Sequence, residues 1–309
     1  MRIAVMAAGA VGGYFGGRLA ASGADVHFIA RGRHLEVLRR DGLRIESPLG
    51  DLHLAEVQAD DNPAAIGPVD VVLFAVKLWD SEAAATTCRP LIGPETAVIT
   101  LQNGIGNAAR IASVIGMDHA VGGAAYIASV LAEPGLVRHG SGFARLMFGE
   151  TDGSESLRLG AFLDACGAAG FDATLSRDVE RDLWEKFVFL VGLSGITGLT
   201  REPIGPSLDD PDRRAFFHDL MKEVVAVGRA DGVALDPDFA DDRIAFAETM
   251  PADMRASLLG DLERGNRLEL DWLAGEVVRR GRALGVSTPA NAAVYVGLKP
   301  FAEGGDGAS

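Results

Sequence analysis

A glycine-rich turn directly follows a short apolar segment at the start of the chain. Residues 2–7 have the composition of a buried strand, residues 7–13 are Ala-Ala-Gly-Ala-Val-Gly-Gly, and a helical pattern then continues to Ser22, where Gly23 ends it. A strand, a glycine turn and a helix in this order form the phosphate-binding unit of doubly wound α/β folds. The sequence therefore predicts a dinucleotide-binding domain of the Rossmann type at the N-terminus.

The predicted cofactor turn differs from the usual fingerprint at its first position, where Ala7 replaces glycine. This replacement requires only that φ at residue 7 is not positive. Gly9 lies where the backbone approaches a pyrophosphate, and Gly12 lies where helix and strand pack closely. The N–H groups and the dipole of the helix would bind the phosphates. The predicted cofactor-binding residues of the turn are Ala7, Ala8, Gly9, Ala10, Val11 and Gly12. The alternative is a packing turn without a ligand.

The remaining pattern predicts two domains. Nearly continuous apolar runs are typical of strands in a parallel sheet that is buried on both faces. Such runs occupy residues 25–30, 69–76 and 96–101, a hairpin is predicted over 43–57, and β-like segments lie within 120–148. Helices are predicted over residues 182–199, 212–230, 238–249 and 267–284. We expect a doubly wound α/β domain over 1–177, an all-helical domain over 178–302, and a disordered tail over 303–309.

Charge and cysteine content exclude several classes of function. The formal net charge of −14 repels a phosphate backbone, and no Lys/Arg-rich run offsets it, so we expect no nucleic-acid partner. No apolar run is expected to span a bilayer, and the apolar N-terminus is assigned to the mature fold rather than to a signal peptide. Cys88 and Cys166 have no metal-ligand spacing and no disulfide framework. We expect a cytoplasmic protein without a bound metal.

The end of the second strand bears on the choice between NAD and NADP. NAD-dependent enzymes usually have an acidic residue there. Here the sequence is Ala30-Arg31-Gly32-Arg33, and no acid occurs before Glu36. Guanidinium groups bind phosphate well. Arg31 is therefore predicted to bind the 2′-phosphate of NADP(H), with Arg33 as a second candidate. Either arginine could instead be an ordinary solvated side chain.

Five short motifs lie at characteristic spacings along the chain. The first two follow predicted strands at the ends where open α/β sheets bind ligands. The motifs are Val76-Lys77-Leu78-Trp79, Thr100-Leu101-Gln102-Asn103-Gly104, Asp182-Leu183-Trp184-Glu185-Lys186-Phe187, Ser257-Leu258-Leu259-Gly260-Asp261 and Glu269-Leu270-Asp271-Trp272. Together they resemble ketopantoate reductases over nearly the whole chain. The resemblance implies NADPH-dependent reduction of 2-dehydropantoate to pantoate, a step of pantothenate biosynthesis, or of a related, more apolar 2-keto acid.

The resemblance also implies roles for individual side chains. Lys186 matches the lysine that protonates the developing alkoxide, and Glu269 matches the acid that orients the substrate and contacts this lysine. Lys77 and Asn103 match residues that line the cofactor and the substrate carboxylate, and Ser257 matches a hydroxyl that binds this carboxylate. Each role has a structural alternative, because a lysine in an apolar helix can snorkel to water and Asn-Gly is a common turn dipeptide.

Two positions depart from the family pattern and leave the substrate open. Ketopantoate reductases have asparagines four and eight residues after the lysine, on the same helix face, whereas this chain has Leu190 and Ser194. A missing polar partner costs about 1–3 kcal/mol, so a more apolar 2-keto acid than ketopantoate is expected to suit Leu190. The alternatives are another 2-hydroxy acid or β-hydroxyacid dehydrogenase, and a catalytically silent NADPH-binding protein. A homodimer is possible.

Overall fold

A computed structural model describes residues 1–305 of the chain and shows two compact units. The first unit is Met1–Val179, and the second begins at Glu180, two residues beyond the expected boundary. The first unit is built on a largely parallel sheet flanked by helices, and the second is helical. The predicted fold class is therefore confirmed.

The strands of the first unit form two sheets. Their bounds are β1 Arg2–Met6, β2 Asp25–Ile29, β3 Leu43–Glu46, β4 Leu52–Leu54, β5 Gln58–Asp60, β6 Val69–Phe74, β7 Ile92–Thr100, β8 Ala120–Tyr126, β9 Ser129–Glu133, β10 Leu136–His139, β11 Arg145–Glu150 and β12 Asp172–Leu175. The larger sheet has the order β12-β11-β8-β7-β6-β1-β2-β5. Its strands from β5 to β8 pair in parallel, and β11 joins β8 antiparallel. This order is that of a doubly wound sheet.

The smaller sheet extends the predicted hairpin. β3 and β4 pair antiparallel, which confirms the hairpin, and the complete order is β4-β3-β10-β9. The pairing of β3 with β10 is parallel and joins segments about ninety residues apart in the chain. Local sequence patterns do not encode such a pairing, so the second sheet was not predicted.

The helices of the first unit connect the strands. They are α1 Ala10–Ala21, α2 Gly32–Asp41, α3 Pro63–Ile66, α4 Ser81–Thr87, α5 Asn107–Ile115 and α6 Leu157–Ala168. α1 lies between the two sheets and has glycines at positions 12, 13, 16 and 17. A Cβ on Gly12 would lie 2.2 Å from the carbonyl oxygen of Ala7, and one on Gly17 would lie 2.7 Å from a methyl carbon of Ile45 in β3. Side chains larger than hydrogen are therefore excluded at Gly12 and Gly17.

The second unit is built around one long helix. Its helices are α7 Val179–Thr200, α8 Ile204–Asp209, α9 Pro211–Ala230, α10 Phe239–Glu248, α11 Ser257–Glu263, α12 Ala274–Leu284 and α13 Pro289–Leu298. A Cβ on Gly192, Gly195 or Gly198 of α7 would lie 2.6–2.9 Å from side chains of α9 or α11. These glycines let neighbouring helices pack close to α7, which is consequently buried along most of its length.

The length and composition of α7 contradict one expectation. By these criteria alone the helix is apolar enough to cross a bilayer, although no such run was expected from the sequence. Its most apolar 18-residue window is 61% buried within the protein. A helix that is apolar all round is typical of a core position as well as of a membrane span. The helix is therefore weak evidence for a membrane segment.

One prediction for the last part of the second unit is wrong in part. A continuous helix over 267–284 is interrupted: a 3-10 turn spans Leu270–Trp272, α12 begins at Ala274, and the Leu268 N–H donates to the carbonyl oxygen of Ala302 instead of extending a helix. Of the tail that was expected to be disordered, residues 303–305 are described, and the Gly305 N–H donates to the carbonyl oxygen of Gly265. The rest of that tail lies outside the described residues.

Candidate functional site

Four parallel strands of the larger sheet end in register. Met6 pairs with Ile29 and Phe74, and Phe74 pairs with Thr100. The carboxyl ends of parallel strands form the ligand-binding edge of open α/β sheets. The segments that follow these four residues contain the cofactor turn, Arg31, Lys77 and Asn103. The structure thus brings the predicted cofactor-binding residues of the first unit to one edge of the sheet.

The cofactor turn has space and polarity for an anion. Gly9 is the N-cap of α1, no side chain caps this helix, and its first turn has no acidic residue. A Cβ on Gly9 would meet no heavy atom within 4 Å, in contrast to the crowded Gly12. The N–H groups of an uncapped helix N-terminus favour negative charge. Within residues 1–305, Arg201 is the only non-glycine residue with positive φ, so Ala7 is unstrained in this respect.

An acid that the sequence did not reveal lies at the same edge of the sheet as the strand end before Arg31. Arg31 is the exposed N-cap of α2, and Arg33 is also exposed. Strand β5 pairs with β2 and brings Asp60 opposite Ile29, at the same edge of the sheet. Asp60 accepts a hydrogen bond from the Asn62 N–H and lies 3.4 Å from the Arg39 guanidinium. These contacts hold the pKa of Asp60 below its usual value. The carboxylate therefore already has partners of its own.

His34 contacts the cofactor turn and was missed in the sequence. Its Nδ1 accepts a hydrogen bond from the Gly135 N–H at 3.0 Å, and its Nε2 lies 2.7 Å from the carbonyl oxygen of Ala8. Because a backbone N–H can only donate, Nε2 must carry the ring proton and donate to Ala8. Burial lowers the pKa of His34, against the effect of the Ala8 carbonyl, and so favours the neutral ring that accepts at Nδ1. The only sequence feature that pointed to His34 was its position in the first turn of the predicted helix after Arg31.

Gln102 links two of the strand ends. Its Nε2 donates to the carbonyl oxygen of Val76 at 3.0 Å and to the hydroxyl of Ser81 at 2.8 Å, and the residue is only 5% exposed. Val76 directly precedes Lys77, and Gln102 directly precedes Asn103. The amide therefore fixes the two segments that bear these predicted site residues. Gln102 lay within a recognised motif, but its role depends on a contact between distant segments.

Lys77 and Asn103 occupy short, turning segments. Lys77 is exposed, and its ammonium lies 5.6 Å from the centroid of the Trp79 ring. The carbonyl oxygen of Asn103 accepts a hydrogen bond from Asn107 Nδ2 at 3.0 Å, and Gly104 follows with a φ of 93°. Glycine is favoured there because other residues rarely adopt that conformation. Asn103 thus forms a turn with Gly104 and also places a polar side chain at the edge of the sheet.

Lys186 and Glu269 interact within the second unit. Lys186 is partly buried on α7 beside the buried residues Phe187 and Val188. Burial lowers the pKa of Lys186 to about 8, and the negative charge of Glu269 acts in the opposite direction. Glu269 lies just before the 3-10 turn, not on a helix as expected. An ammonium group with a pKa near neutrality can donate a proton to a developing alkoxide.

The other predicted substrate residues have different environments. Leu190 is partly buried, one helical turn after Lys186. Ser194 is 2% exposed, and its Oγ has no hydrogen-bond partner among the described residues. Ser257 is exposed at the first position of α11, whose next residue, Leu258, packs against Gly198. The helix geometry places Leu190 and Ser194 on the same side of α7 as Lys186.

The described part of the chain also contains two cysteines and side chains of the types that can ligate metals. Residues 1–305 contain no group of three or more His, Cys, Asp or Glu side chains that could hold a metal ion. Cys88 and Cys166 are free and buried, and burial raises the pKa of each thiol to about 12. A thiol with this pKa is unreactive near neutral pH.

Comparison with known proteins covers both units. Residues 3–153 match the family described as ketopantoate reductase PanE/ApbA, and residues 178–302 match its C-terminal domain. The uncharacterized oxidoreductase YkpB of Bacillus subtilis (strain 168) is 30% identical over 303 residues, which cover 97% of this chain and 99% of that protein. A 2-dehydropantoate 2-reductase of Mesorhizobium japonicum is 31% identical over 323 residues, which cover 98% of each chain.

Similarity extends to three-dimensional structure. The crystal structure of a PanE/ApbA family ketopantoate reductase from Ralstonia eutropha JMP134 superimposes with a TM-score of 0.89 at 35% identity. The match covers 97% of this chain and 98% of the other. Proteins of this family are oxidoreductases that act on CH–OH groups with a nicotinamide cofactor. Sequence matches to both domains and the shared fold lead to one conclusion: this chain belongs to the ketopantoate reductase family.

Proposed function

We propose that the protein is a cytoplasmic NADPH-dependent reductase that converts a small 2-keto acid to the 2-hydroxy acid. The observation that carries this proposal is the environment of Lys186, a partly buried ammonium with a pKa of about 8 that interacts with Glu269. A purely structural lysine at a helix surface would extend its ammonium into water and keep an ordinary pKa. Perturbed pKa values of this kind are typical of functional sites.

The residues of the first unit fit a dinucleotide. The uncapped N-terminus of α1, with open space at Gly9, would hold the pyrophosphate, and Arg31 would bind the 2′-phosphate. Lys77 and Asn103, at the ends of neighbouring strands, would line the nicotinamide side and the substrate carboxylate. When bound, NADPH supplies a hydride from C4 of the nicotinamide to C2 of the keto acid.

The residues of the second unit act on the substrate. Lys186 donates a proton to the carbonyl oxygen as negative charge develops there, so the products are the 2-hydroxy acid and NADP⁺. Glu269 orients the substrate and, through its charge, helps keep Lys186 protonated. Ser257 would bind the substrate carboxylate, while Leu190 and Ser194 would contact its side chain. A leucine at position 190 would favour a 2-keto acid with an apolar side chain.

The proposal is tested by following the oxidation of NADPH by the purified protein with a panel of 2-keto acids. The panel includes ketopantoate and analogues of similar size without its hydroxyl group. Saturable NADPH oxidation with at least one member, and formation of the matching 2-hydroxy acid, is the expected result. A protein that binds NADPH but reduces no member of the panel would be a silent nucleotide-binding protein.

Arg31 is expected to determine cofactor preference. Wild-type protein should bind NADPH at least about tenfold more tightly than NADH, which corresponds to about 1.4 kcal/mol. Arg31→Ala should remove most of this preference, because only NADPH carries the 2′-phosphate that the guanidinium would bind. Titration of both nucleotides by fluorescence measures the effect. Arg40→Ala, at an exposed position in the last turn of the same helix, is the matched control, and Arg33→Ala tests the second candidate. Equal loss of affinity for both nucleotides in Arg31→Ala would remove this role from Arg31.

Leu190 is expected to determine substrate preference. Wild-type protein should prefer apolar 2-keto acids to ketopantoate, whose hydroxyl lacks a partner at a leucine. Leu190→Asn should shift the ratio of kcat/KM values toward ketopantoate by a factor of about ten or more, because about 1–3 kcal/mol is at stake for each buried polar partner. Leu199→Asn, at an exposed position of the same helix, is the matched control. Efficient reduction of ketopantoate by wild type, unchanged in Leu190→Asn, would show that Leu190 does not line the substrate pocket.

A further inference from the structure

His34 joins three segments of the first unit through one imidazole ring. It lies in the first turn of α2, three residues after Arg31. Its Nε2–H donates to the carbonyl oxygen of Ala8 in the cofactor turn at 2.7 Å, and its Nδ1 accepts from Gly135, between β9 and β10, at 3.0 Å. The ring therefore fixes the start of α2 to the cofactor turn.

The peptide unit between Ala8 and Gly9 is the group that this contact orients. In a planar trans peptide the carbonyl and the N–H point in opposite directions, so a hydrogen bond to the Ala8 oxygen also sets the direction of the Gly9 N–H. The Ala8 N–H in turn donates to the carbonyl oxygen of Ile29 at 2.9 Å. Ala8 is thus held at both its backbone donor and its acceptor, directly before the N-cap of α1.

We propose that His34 is a positioning residue for the nicotinamide cofactor. The ring orients the Ala8–Gly9 peptide so that the Gly9 N–H is directed to the pyrophosphate. This role rests on the proposed placement of the cofactor at the turn. His34 acts through the backbone and does not itself bind the nucleotide. Because the pyrophosphate is common to NADPH and NADH, His34 supports the binding of both, whereas Arg31 distinguishes between them.

Two substitutions separate the two hydrogen bonds of the ring. Glutamine has an amide N–H₂ near the position of Nε2 and can still donate to Ala8, while asparagine has an oxygen near the position of Nδ1 and can accept from Gly135 only. His34→Ala removes both bonds. His119→Ala is the matched control, because His119 is also a half-buried histidine of the first unit whose ring contacts a backbone carbonyl, that of Thr96, at 3.1 Å.

The experiment measures the Kd values of NADPH and NADH by fluorescence titration, together with the Tm of each full-length variant. His34→Ala is expected to raise both Kd values about tenfold, equivalent to about 1.4 kcal/mol. His34→Gln should restore both to within about twofold of wild type, His34→Asn should resemble His34→Ala, and His119→Ala should change neither.

Several outcomes would overturn this role. It is wrong if His34→Ala binds both nucleotides like wild type, or if His34→Asn restores binding as well as His34→Gln does. If His34→Ala does not fold, the comparison of the glutamine and asparagine variants decides. A wild-type protein that binds neither nucleotide contradicts the proposed function as well, whereas normal wild-type binding that His34 variants leave unchanged contradicts only the role of His34.

Discussion

Lys186→Ala is expected to lower turnover by roughly 10²–10⁴-fold while leaving the affinity for NADPH nearly unchanged. The variant loses the proton donor to the developing alkoxide, but the predicted cofactor residues lie in the other unit and remain intact. The same role predicts that the wild-type rate of reduction falls as pH rises through about 8, since Lys186 must be protonated to act as an acid. Steady-state kinetics as a function of pH measures both effects.

The control for this variant is Lys222→Ala, which removes an exposed lysine from α9 of the same unit and should leave turnover unchanged. Measurement of Tm distinguishes loss of a catalytic group from loss of the fold. Near-normal turnover of Lys186→Ala, with a pH profile like that of wild type, would assign Lys186 to the ordinary role of a lysine whose ammonium reaches water from an apolar helix.

Gly9→Ala is expected to weaken NADPH binding without loss of stability, whereas Gly12→Ala is expected to destabilise the fold. A methyl group on Gly9 meets no protein atom within 4 Å and should leave Tm nearly unchanged, but it would occupy the space of the pyrophosphate. We expect at least about 100-fold weaker NADPH binding, which corresponds to about 2.7 kcal/mol. A methyl group on Gly12 would lie 2.2 Å from the Ala7 carbonyl oxygen and should destabilise the fold by about 1–3 kcal/mol or more.

Thermal unfolding and NADPH titration of both variants test this contrast. Gly160→Ala is a suitable control, because Gly160 lies within α6 of the same unit and a Cβ there also meets no atom within 4 Å. This control should bind NADPH normally and gain about 0.5–1 kcal/mol of stability from improved helix propensity. Normal NADPH binding by Gly9→Ala would show that the turn serves packing alone.

The central strands and the cofactor turn were predictable because their signals are local. Buried parallel strands such as β1 and β6 are continuous apolar runs, and the turn after β1 requires glycine at Gly12 for a steric reason that the structure makes explicit. Helices of the second unit with one apolar face, such as α9, were predictable from apolar periodicity for the same reason. The family motifs then gave candidate site residues at the expected strand ends.

Contacts between distant segments could not be predicted. β9 and β10 are short, Val130 and Leu131 of β9 are exposed, and the pairing of β10 with β3 depends on the whole fold. His34 and Gln102 owe their importance to hydrogen bonds with residues 26 positions away in the chain. The sequence around Glu269 has the apolar spacing of a helix, but the segment forms a 3-10 turn, and the Leu268 N–H donates to the distant Ala302. Single-sequence patterns contain none of this information.

Hydride transfer to the keto carbon is tested most directly with NADPH that carries deuterium at C4 of the nicotinamide. The two labelled diastereomers are incubated separately with the protein and the 2-keto acid that it reduces best, and the product is analysed by mass spectrometry. One diastereomer should give a 2-hydroxy acid with deuterium on C2, and Lys186→Ala should form the same product far more slowly. A product without deuterium from either diastereomer, or no product with any 2-keto acid, would contradict the proposed reaction.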